Sequence, residues 1–235
     1  SMMYINNEVG SVLPVEAIKK AVARAKAPAL IHIDCVQAFG KVEIKPQKLG
    51  ADLVTVTAHK IHGPKGVGAL YIKKGTRIIP RVYGGEQEKK IRPGTEAAPL
   101  IAGFGVAADM IPNLKEQTAR AQELCDYAKE QLSQIPQLKI NSGENASPYI
   151  LNIYVPVFMT SQTVVQHLSS KYEICISNGS ACAKGKKSHV LTAMKLPDNV
   201  TERSVRISFS RHNTKEDIDA LVNALKETTR DYPIR

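Results

Sequence analysis

The first part of the chain combines one helical pattern with short, continuous apolar runs. The segment VEAIKKAVARAKA after Pro14 spaces its apolar residues as a helix does, and proline favours the first turn of a helix. Apolar runs follow at 29–35, 52–58 and 67–74, and each is typical of a buried strand. A helix followed by buried strands in this order predicts an α/β fold with a partly parallel sheet.

The pattern changes after a loop at 84–99 that is rich in glycine, proline and charge. Residues 97–134 have a helical pattern that is broken near Pro112, since proline removes a helical hydrogen bond. Thr214 with Asp217 three positions later is typical of a capped helix start. Further along, short strands are predicted at 137–140, 149–155, 174–176 and 204–209, and helices at 161–171, 188–195 and 214–230.

These patterns divide the 235 residues into two predicted domains, residues 1–110 and residues 111–235. The second has the alternation of a small α+β domain. No apolar run is long enough to cross a membrane, and the N-terminus has no basic-then-apolar signal pattern. The cysteines fit neither a CxxC pair nor a zinc pattern, which favours a soluble cytoplasmic chain with reduced thiols and no metal site; they are Cys35, Cys125, Cys175 and Cys182.

The chain is basic, with a formal net charge of +10. Its basic residues are scattered in small clusters, and the sequence lacks the interleaving of aromatic and basic residues, the zinc fingers and the RNP motif of nucleic-acid binders. We therefore expect no nucleic-acid partner. An anionic cofactor or an acidic protein partner accounts for the same charge.

Polar side chains follow two of the predicted strands at the points where they end. Asp34 and Gln37 come after the first run, and Thr57, His59 and Lys60 come after the second. In open α/β sheets, ligands bind outside the carboxyl ends of the strands. Pyridoxal phosphate needs a lysine, an acid for its pyridine nitrogen, and hydroxyl and imidazole donors for its phosphate. The residues fit this cofactor, although a structural role for each of them stays open.

Two further features could take part in catalysis or substrate binding. Cys182 lies in the segment SNGSACAKGKKSHVL, where Lys184, Lys186 and Lys187 would favour its thiolate. An unreactive loop thiol is the alternative. Arg206 lies inside the alternating strand pattern SVRISFSRHN, where it could bind a substrate carboxylate through two hydrogen bonds. A structural salt bridge is the alternative for Arg206.

Together these stretches resemble the cysteine desulfurases of the NifS/IscS type, within the class V aminotransferase family. The resemblance runs over essentially the whole chain. It implies the fold of the PLP-dependent transferases (aspartate aminotransferase-like), with a partial large domain and a small α+β C-terminal domain. The motifs that carry it are INNEVG (5–10), HIDCVQAFGK (32–41), TAHKIHGPKGVGALY (57–71), GGEQEKKIRPGTE (84–96), SNGSAC (177–182), SHVL (188–191) and SVRIS (204–208).

The resemblance implies a role for each residue near the cofactor, pyridoxal 5'-phosphate. Lys60 corresponds to the lysine that forms the Schiff base. Asp34 would pair with the pyridine nitrogen, and Gln37 would bind the ring hydroxyl. Thr57 and His59 match phosphate-binding positions.

The resemblance also implies a substrate, L-cysteine, and a reaction. Asn7 and Arg206 match positions that bind the substrate carboxylate. Cys182 matches the nucleophile that takes the substrate's sulfur as a persulfide, for transfer to an acceptor or scaffold protein in iron-sulfur cluster or thio-cofactor assembly; alanine leaves. Thr95 matches a residue that reaches the phosphate of a neighbouring subunit, which implies a homodimer.

The chain opens almost at the INNEVG motif, so the resemblance implies that the N-terminal part of the family's large domain is missing. A stand-alone desulfurase, an inactive fragment that binds or dimerises, and one half of a split desulfurase completed by a separate N-terminal half all stay open. Selenocysteine lyase activity is a further alternative. An incomplete large domain is also expected to expose an apolar face and a sheet edge, which favours oligomerisation or a partner.

Overall fold

The computed structural model describes residues 1–179 and 187–234, and their structure is α/β as predicted. No helix in these ranges is long and apolar enough to cross a membrane. The strands are β1 (Met2–Met3), β2 (His32–Asp34), β3 (Leu53–Thr57), β4 (Gly68–Ile72), β5 (Lys139–Ile140), β6 (Ile150–Tyr154) and β7 (Ser204–Ser208). The α-helices are α1 (Val15–Arg24), α2 (Pro46–Leu49), α3 (Ala98–Asp109), α4 (Leu114–Leu132), α5 (Ser161–Tyr172), α6 (His189–Ala193), α7 (Asp198–Thr201) and α8 (Lys215–Asp231), and 3-10 turns lie at Ala58–Ile61 and Gln87–Lys90.

The chain forms two compact units. Unit 1 comprises Ser1–Tyr4 and Leu13–Leu114, and unit 2 comprises Ile5–Val12 and the described residues from Lys115 onward. The division therefore falls after residue 114, whereas the sequence pattern placed it after residue 110. The assignment of Ile5–Val12 to unit 2 was not predicted, because sequence patterns reveal local periodicity and not which distant segment a short excursion packs against.

Unit 1 is built on a four-stranded sheet in the order β1-β2-β3-β4. The first three strands are parallel, and β4 pairs with β3 in the antiparallel sense, which confirms the partly parallel sheet. Asp34 at the end of β2 lies opposite Thr55 in β3. Because parallel strands end at the same edge of a sheet, the residues that follow β2 and β3 lie along one edge.

Unit 1 leaves several large apolar side chains exposed. The first three residues of β4 are exposed, and Ala107 is the buried residue of α3. Ile79 is 87% exposed and Tyr83 is 78% exposed. Other large apolar side chains with substantial exposure in this unit are Leu30, Leu70, Val82, Ile101, Val106 and Met110. Apolar surface of this extent is typical of a surface that a partner covers.

Unit 2 has a continuous core. Its sheet is antiparallel, in the order β5-β6-β7, and all residues of β6 are buried. Side chains from α4, α5 and α8 pack with β6 and β7 in one apolar cluster. Thr214 caps α8 by accepting a hydrogen bond from the amide of Asp217, and the Asp217 carboxylate accepts from the amide of Thr214. This reciprocal pair confirms the predicted capping box.

The predicted strand at 174–176 is wrong. Glu173 ends α5 in the left-handed conformation, at φ 57°, and the next residues pack against the core without pairing as a strand. Pairing is limited to an isolated bridge between Ser177 and Arg206. The apolar pattern of the segment therefore indicated burial correctly and strand pairing incorrectly.

Candidate active site

The first part of the site follows β2 in unit 1. Asp34 ends the strand, and one of its carboxylate oxygens, Oδ1, accepts a hydrogen bond from the amide of Val36 at 2.9 Å. That bond fixes the carboxylate at the turn that leaves the strand. Gln37 is buried, and Lys41 Nζ lies 3.5 Å from its Oε1. An acid and an amide are thus held within one turn after the strand.

The second part follows β3 at the same edge of the sheet. Thr57 ends the strand, and His59 and Lys60 lie in the 3-10 turn Ala58–Ile61. His62 ends the turn in the left-handed conformation, at φ 67°. A methyl group on the next residue, Gly63, would lie 3.0 Å from atoms of Ala58, which is tighter than an ordinary contact, so glycine favours this close return of the chain.

A hydrogen bond of 2.9 Å joins Thr57 Oγ1 to His59 Nδ1, and the same hydroxyl lies 3.3 Å from the carbonyl oxygen of Val67. When the hydroxyl donates to Val67, His59 Nδ1 must donate to the hydroxyl, since Thr57 has a single hydroxyl hydrogen. Burial lowers the pKa of His59, and the positive charges of Lys60 and Lys65 lower it further. A bound anion would reverse the effect of those charges.

Cys35 separates Asp34 from the turn but takes no part in the site. It is fully buried, and burial raises the pKa of its thiol to about 12, with a smaller contribution from the charge of Asp34. Cys35 is therefore a protonated core thiol and a poor nucleophile.

The donor set of unit 1 fits pyridoxal phosphate. Asp34 supplies the acid for a pyridine nitrogen, Lys60 supplies the amine, and the Thr57–His59 pair supplies a hydroxyl and an imidazole for a phosphate. All of these residues follow the carboxyl ends of two adjacent parallel strands, where α/β sheets bind ligands. The roles assigned to the individual residues remain predictions.

A second group of predicted site residues lies in unit 2. Arg206 in β7 donates from Nη1 to the carbonyl oxygen of Asn7 at 2.8 Å. Its Nε is buried and has no hydrogen-bond partner among the described residues. Burial lowers the pKa of Arg206, and the charge of Glu8 opposes this effect. A buried donor without a partner is costly, and a substrate carboxylate would satisfy it.

The remaining predicted residues lie either outside the described ranges or at exposed positions. Cys182, Lys184 and Lys186 lie outside the described residues. Lys187 pairs with Asp198 at 2.8 Å and with Glu202 at 3.4 Å, so nearby carboxylates already balance its charge. Thr95 is exposed in the loop before α3, and its predicted role toward a neighbouring subunit remains a prediction.

Glu8 was not among the residues predicted from the sequence to belong to the site. This residue is 1% exposed in unit 2, and its carboxylate accepts a hydrogen bond from Ser188. A glutamate is almost never fully buried unless its oxygens are paired. In the sequence, Glu8 stands between apolar Ile5 and Val9 in INNEVG. This position is the one signal of its burial, and a single charged residue in a short motif is not enough to predict it.

Comparison with known proteins shows the family of the chain. The family model for class V aminotransferases matches residues 1–221, so the chain belongs to the class V aminotransferase family. A cysteine desulfurase of Nostoc sp. is 37% identical over 232 residues, which cover 97% of this chain and 57% of that protein. Cysteine desulfurase IscS of Methanosarcina thermophila is 36% identical over 231 residues, covering 97% of this chain and 56% of that protein.

Solved structures show the same likeness. A NifS-like protein from Rickettsia africae superposes with a TM-score of 0.86 at 32% sequence identity, over 97% of this chain and 61% of that chain. The fold is therefore that of the PLP-dependent transferases, as the resemblance implied. The chain spans about 57% of the length of the curated relatives it matches.

Proposed function

We propose that this chain carries the active-site residues of a pyridoxal-phosphate-dependent cysteine desulfurase, which converts L-cysteine to L-alanine and retains the sulfur on Cys182. The observation that carries the proposal is the set of an acid, an amine and a hydroxyl–imidazole pair after two adjacent parallel strands. The family and the names of the relatives support the same reaction. They favour it over a selenocysteine lyase or an inactive binding module.

In the proposed reaction each residue has a defined task. Bound pyridoxal phosphate supplies an electron sink that stabilises negative charge at the substrate Cα. Asp34 keeps the cofactor's pyridine nitrogen protonated, and Lys60 accepts the Cα proton through its amine. Arg206 and Asn7 orient the substrate carboxylate.

The sulfur transfer is proposed to occur at Cys182. Its thiolate attacks the substrate Sγ, so a new S–S bond forms while the Cβ–Sγ bond breaks. The electron pair of the broken bond remains with the substrate carbon skeleton, which is protonated and leaves as alanine. The persulfide on Cys182 is then available to a sulfur acceptor, in iron-sulfur cluster or thio-cofactor assembly.

The proposal includes an assembly that completes the large domain. The exposed apolar side chains of unit 1, among them Ile79 and Tyr83, support a covering partner. We propose a homodimer in which Thr95 serves the neighbouring subunit's site, with a separate N-terminal half as the alternative cover. A cytoplasmic location is part of the proposal, since the spacing of the cysteines in the sequence fits neither a CxxC pair nor a zinc pattern.

The test is a covalent trap with a matched lysine control. Pyridoxal phosphate is added to the chain, the adduct is reduced with borohydride, and the modified lysine is identified by mass spectrometry. We expect modification at Lys60, complete loss of it in Lys60→Ala, and retention of it in Lys65→Ala, because Lys65 is exposed and lies after the turn. Modification spread over several lysines, or none at Lys60, would contradict the proposal. Alanine release from cysteine in the presence of the cofactor then tests the reaction.

A further inference from the structure

Glu8 lies in a hydrogen-bonded turn of unit 2. Asn6 Oδ1 accepts hydrogen bonds from the amides of Glu8 and Val9, at 2.9 and 3.0 Å. Asn152 in β6 donates from its side-chain amide to the Glu8 carbonyl at 3.3 Å. The backbone of Glu8 is therefore fixed from both sides. Because a buried carboxylate costs free energy unless its oxygens are hydrogen-bonded, the direction of the side chain depends on its partners.

One carboxylate oxygen of Glu8 meets two residues that are distant from it in sequence. The Ser188 hydroxyl donates to Oε2 at 2.5 Å, while Ser188 Oγ accepts from the amide of Leu191 at 3.1 Å and so caps α6. A methyl group on Gly179 would lie 3.2 Å from the same Oε2. Gly179 and Ser188 thus lie against one oxygen, and in the sequence they flank Cys182.

The Gly179 side of this contact is connected to Arg206. Ser177 and Arg206 exchange backbone hydrogen bonds of 3.1 and 2.6 Å, and Ser177 Oγ donates to the carbonyl oxygen of Gly179 at 3.1 Å. Glu8 acts electrostatically on Arg206, although none of the ion pairs among the described residues joins the two. The buried carboxylate therefore lies close to Gly179, and its charge acts on the proposed substrate-binding arginine.

We propose that Glu8 is a positioning residue, whose carboxylate holds Gly179 and Ser188, the described residues on either side of Cys182 in the sequence, in a fixed arrangement. Cys182 lies between these two residues in the sequence. The consequence for sulfur transfer rests on the proposed function. The positioning itself does not, because it is defined by contacts within unit 2.

Hydrogen exchange of single amides tests the positioning without a cofactor. Glu8→Gln keeps the side-chain shape and removes the charge that strengthens the bond from Ser188. We expect the amides of Ser177 and Leu191 to exchange about tenfold faster in this variant, since the hydrogen bond from Ser188 loses its charged acceptor and is weakened. The matched control is Glu202→Gln, which removes an exposed carboxylate beside Lys187. We expect exchange in the control to change less than about twofold.

A second variant tests whether the two ends communicate. Ser188→Ala removes the donor on one side of the segment, and we expect faster exchange on the other side, at Ser177 and Gly179, by about threefold. This distant effect should vanish when Ser188→Ala is made in the Glu8→Gln background. An effect confined to Leu191, or a uniform increase over all amides of unit 2 including α8, would overturn the proposal. If Glu8→Gln does not fold, the single variant Ser188→Ala decides.

The activity measurement separates this inference from the proposed function. In the chain loaded with pyridoxal phosphate, we expect Glu8→Gln to lower the rate of alanine formation while the cofactor's absorbance stays unchanged. If the unsubstituted chain forms no alanine, the proposed function fails and the exchange experiment still decides the role of Glu8. If alanine forms and the exchange rates of Ser177 and Leu191 do not respond to Glu8→Gln, the positioning role fails alone.

Discussion

The two units hold their predicted site residues in different ways. In unit 1 the residues lie in turns at a sheet edge, and their contacts are local: Thr57 binds His59, and Asp34 binds the amide of Val36. In unit 2, Arg206 contacts Asn7, which is 199 positions away in sequence. One group depends on short-range turn geometry, and the other depends on the packing of a whole core.

The difference extends to the surroundings of each group. Unit 2 has a continuous apolar cluster that includes Leu151, Val205 and Leu225. In unit 1, β4 and α3 leave large apolar side chains exposed. The chemistry proposed for unit 1 therefore lies on the less completely buried part of the chain. We expect unit 2 to stay folded when unit 1 is changed. We expect unit 1 to be destabilised more strongly when it loses a covering partner.

The largest expected effect compares two strand leucines, one from each unit. Leu151 in β6 is fully buried, and Leu70 in β4 is 45% exposed. We expect Leu151→Ala to lower the free energy of unfolding by about 2–5 kcal/mol, because it leaves a cavity in the core. We expect Leu70→Ala to lower it by about 1 kcal/mol or less, since the side chain already contacts solvent. Urea unfolding of both variants measures the difference.

Urea unfolding of the two leucine variants also tests whether β4 of unit 1 is exposed in solution while β6 of unit 2 is buried. Should Leu70→Ala cost as much as Leu151→Ala, the exposed face of β4 must already be covered in solution, for example by a second copy of the chain. Repeating the measurement at several protein concentrations identifies such an association, because a dimer becomes more stable as its concentration rises.

Sequence patterns predicted the local part of this molecule well. The strands that carry Asp34 and Thr57 were predicted within a few residues, because continuous apolar runs and glycine-rich turns are local signals. The capping box at Thr214 was predicted for the same reason. The site residues of unit 1 could thus be grouped at one sheet edge from the sequence alone.

The long-range part could not be predicted in this way. The packing of Ile5–Val12 within unit 2 and the burial of Glu8 both depend on contacts with residues more than 140 positions away, such as Asn152. The segment 174–176 was predicted as a strand, but pairing is limited to an isolated bridge at the following residue, Ser177. An apolar pattern indicates burial and does not identify a pairing partner. Family resemblance supplied Asn7, which the local patterns did not indicate, whereas Arg206 was also indicated by its place in an alternating strand pattern.

The second-largest expected effect concerns two glycines. It distinguishes the cost in stability of steric overlap from the cost of an unfavourable backbone conformation. Gly10 in unit 2 and Gly75 in unit 1 both have positive φ, 76° and 90°. A methyl group at Gly10 would lie 2.9 Å from the carbonyl oxygen of Ile150, whereas nothing lies within 4 Å of one at Gly75. We expect Gly75→Ala to cost about 1 kcal/mol from conformation alone, and Gly10→Ala about 2–3 kcal/mol because steric overlap is added.

Thermal unfolding of both glycine variants, compared with that of Gly143→Ala, measures these costs. Gly143 has open space around it and no positive φ, so its variant serves as the control. Equal costs for Gly10→Ala and Gly75→Ala would mean that the backbone around the contact between Gly10 and Ile150 relaxes easily. That result would also weaken the view that unit 2 holds Glu8 rigidly.

The smallest expected effect is the pH response of His59, and it probes the local character of unit 1. Burial and the charges of Lys60 and Lys65 place the pKa of His59 below the ordinary value of 6.5. As the pH falls below 6.5, the unfolded chain takes up the proton first, so the contribution of neutral His59 to stability is present above that pH and declines until the folded pKa is passed. NMR titration of the imidazole measures this pKa directly. We expect Lys65→Gln to raise it and Lys187→Gln, in unit 2, to leave it unchanged. An equal response to both substitutions would show that long-range charge, and not the turn, sets the protonation of the proposed phosphate site.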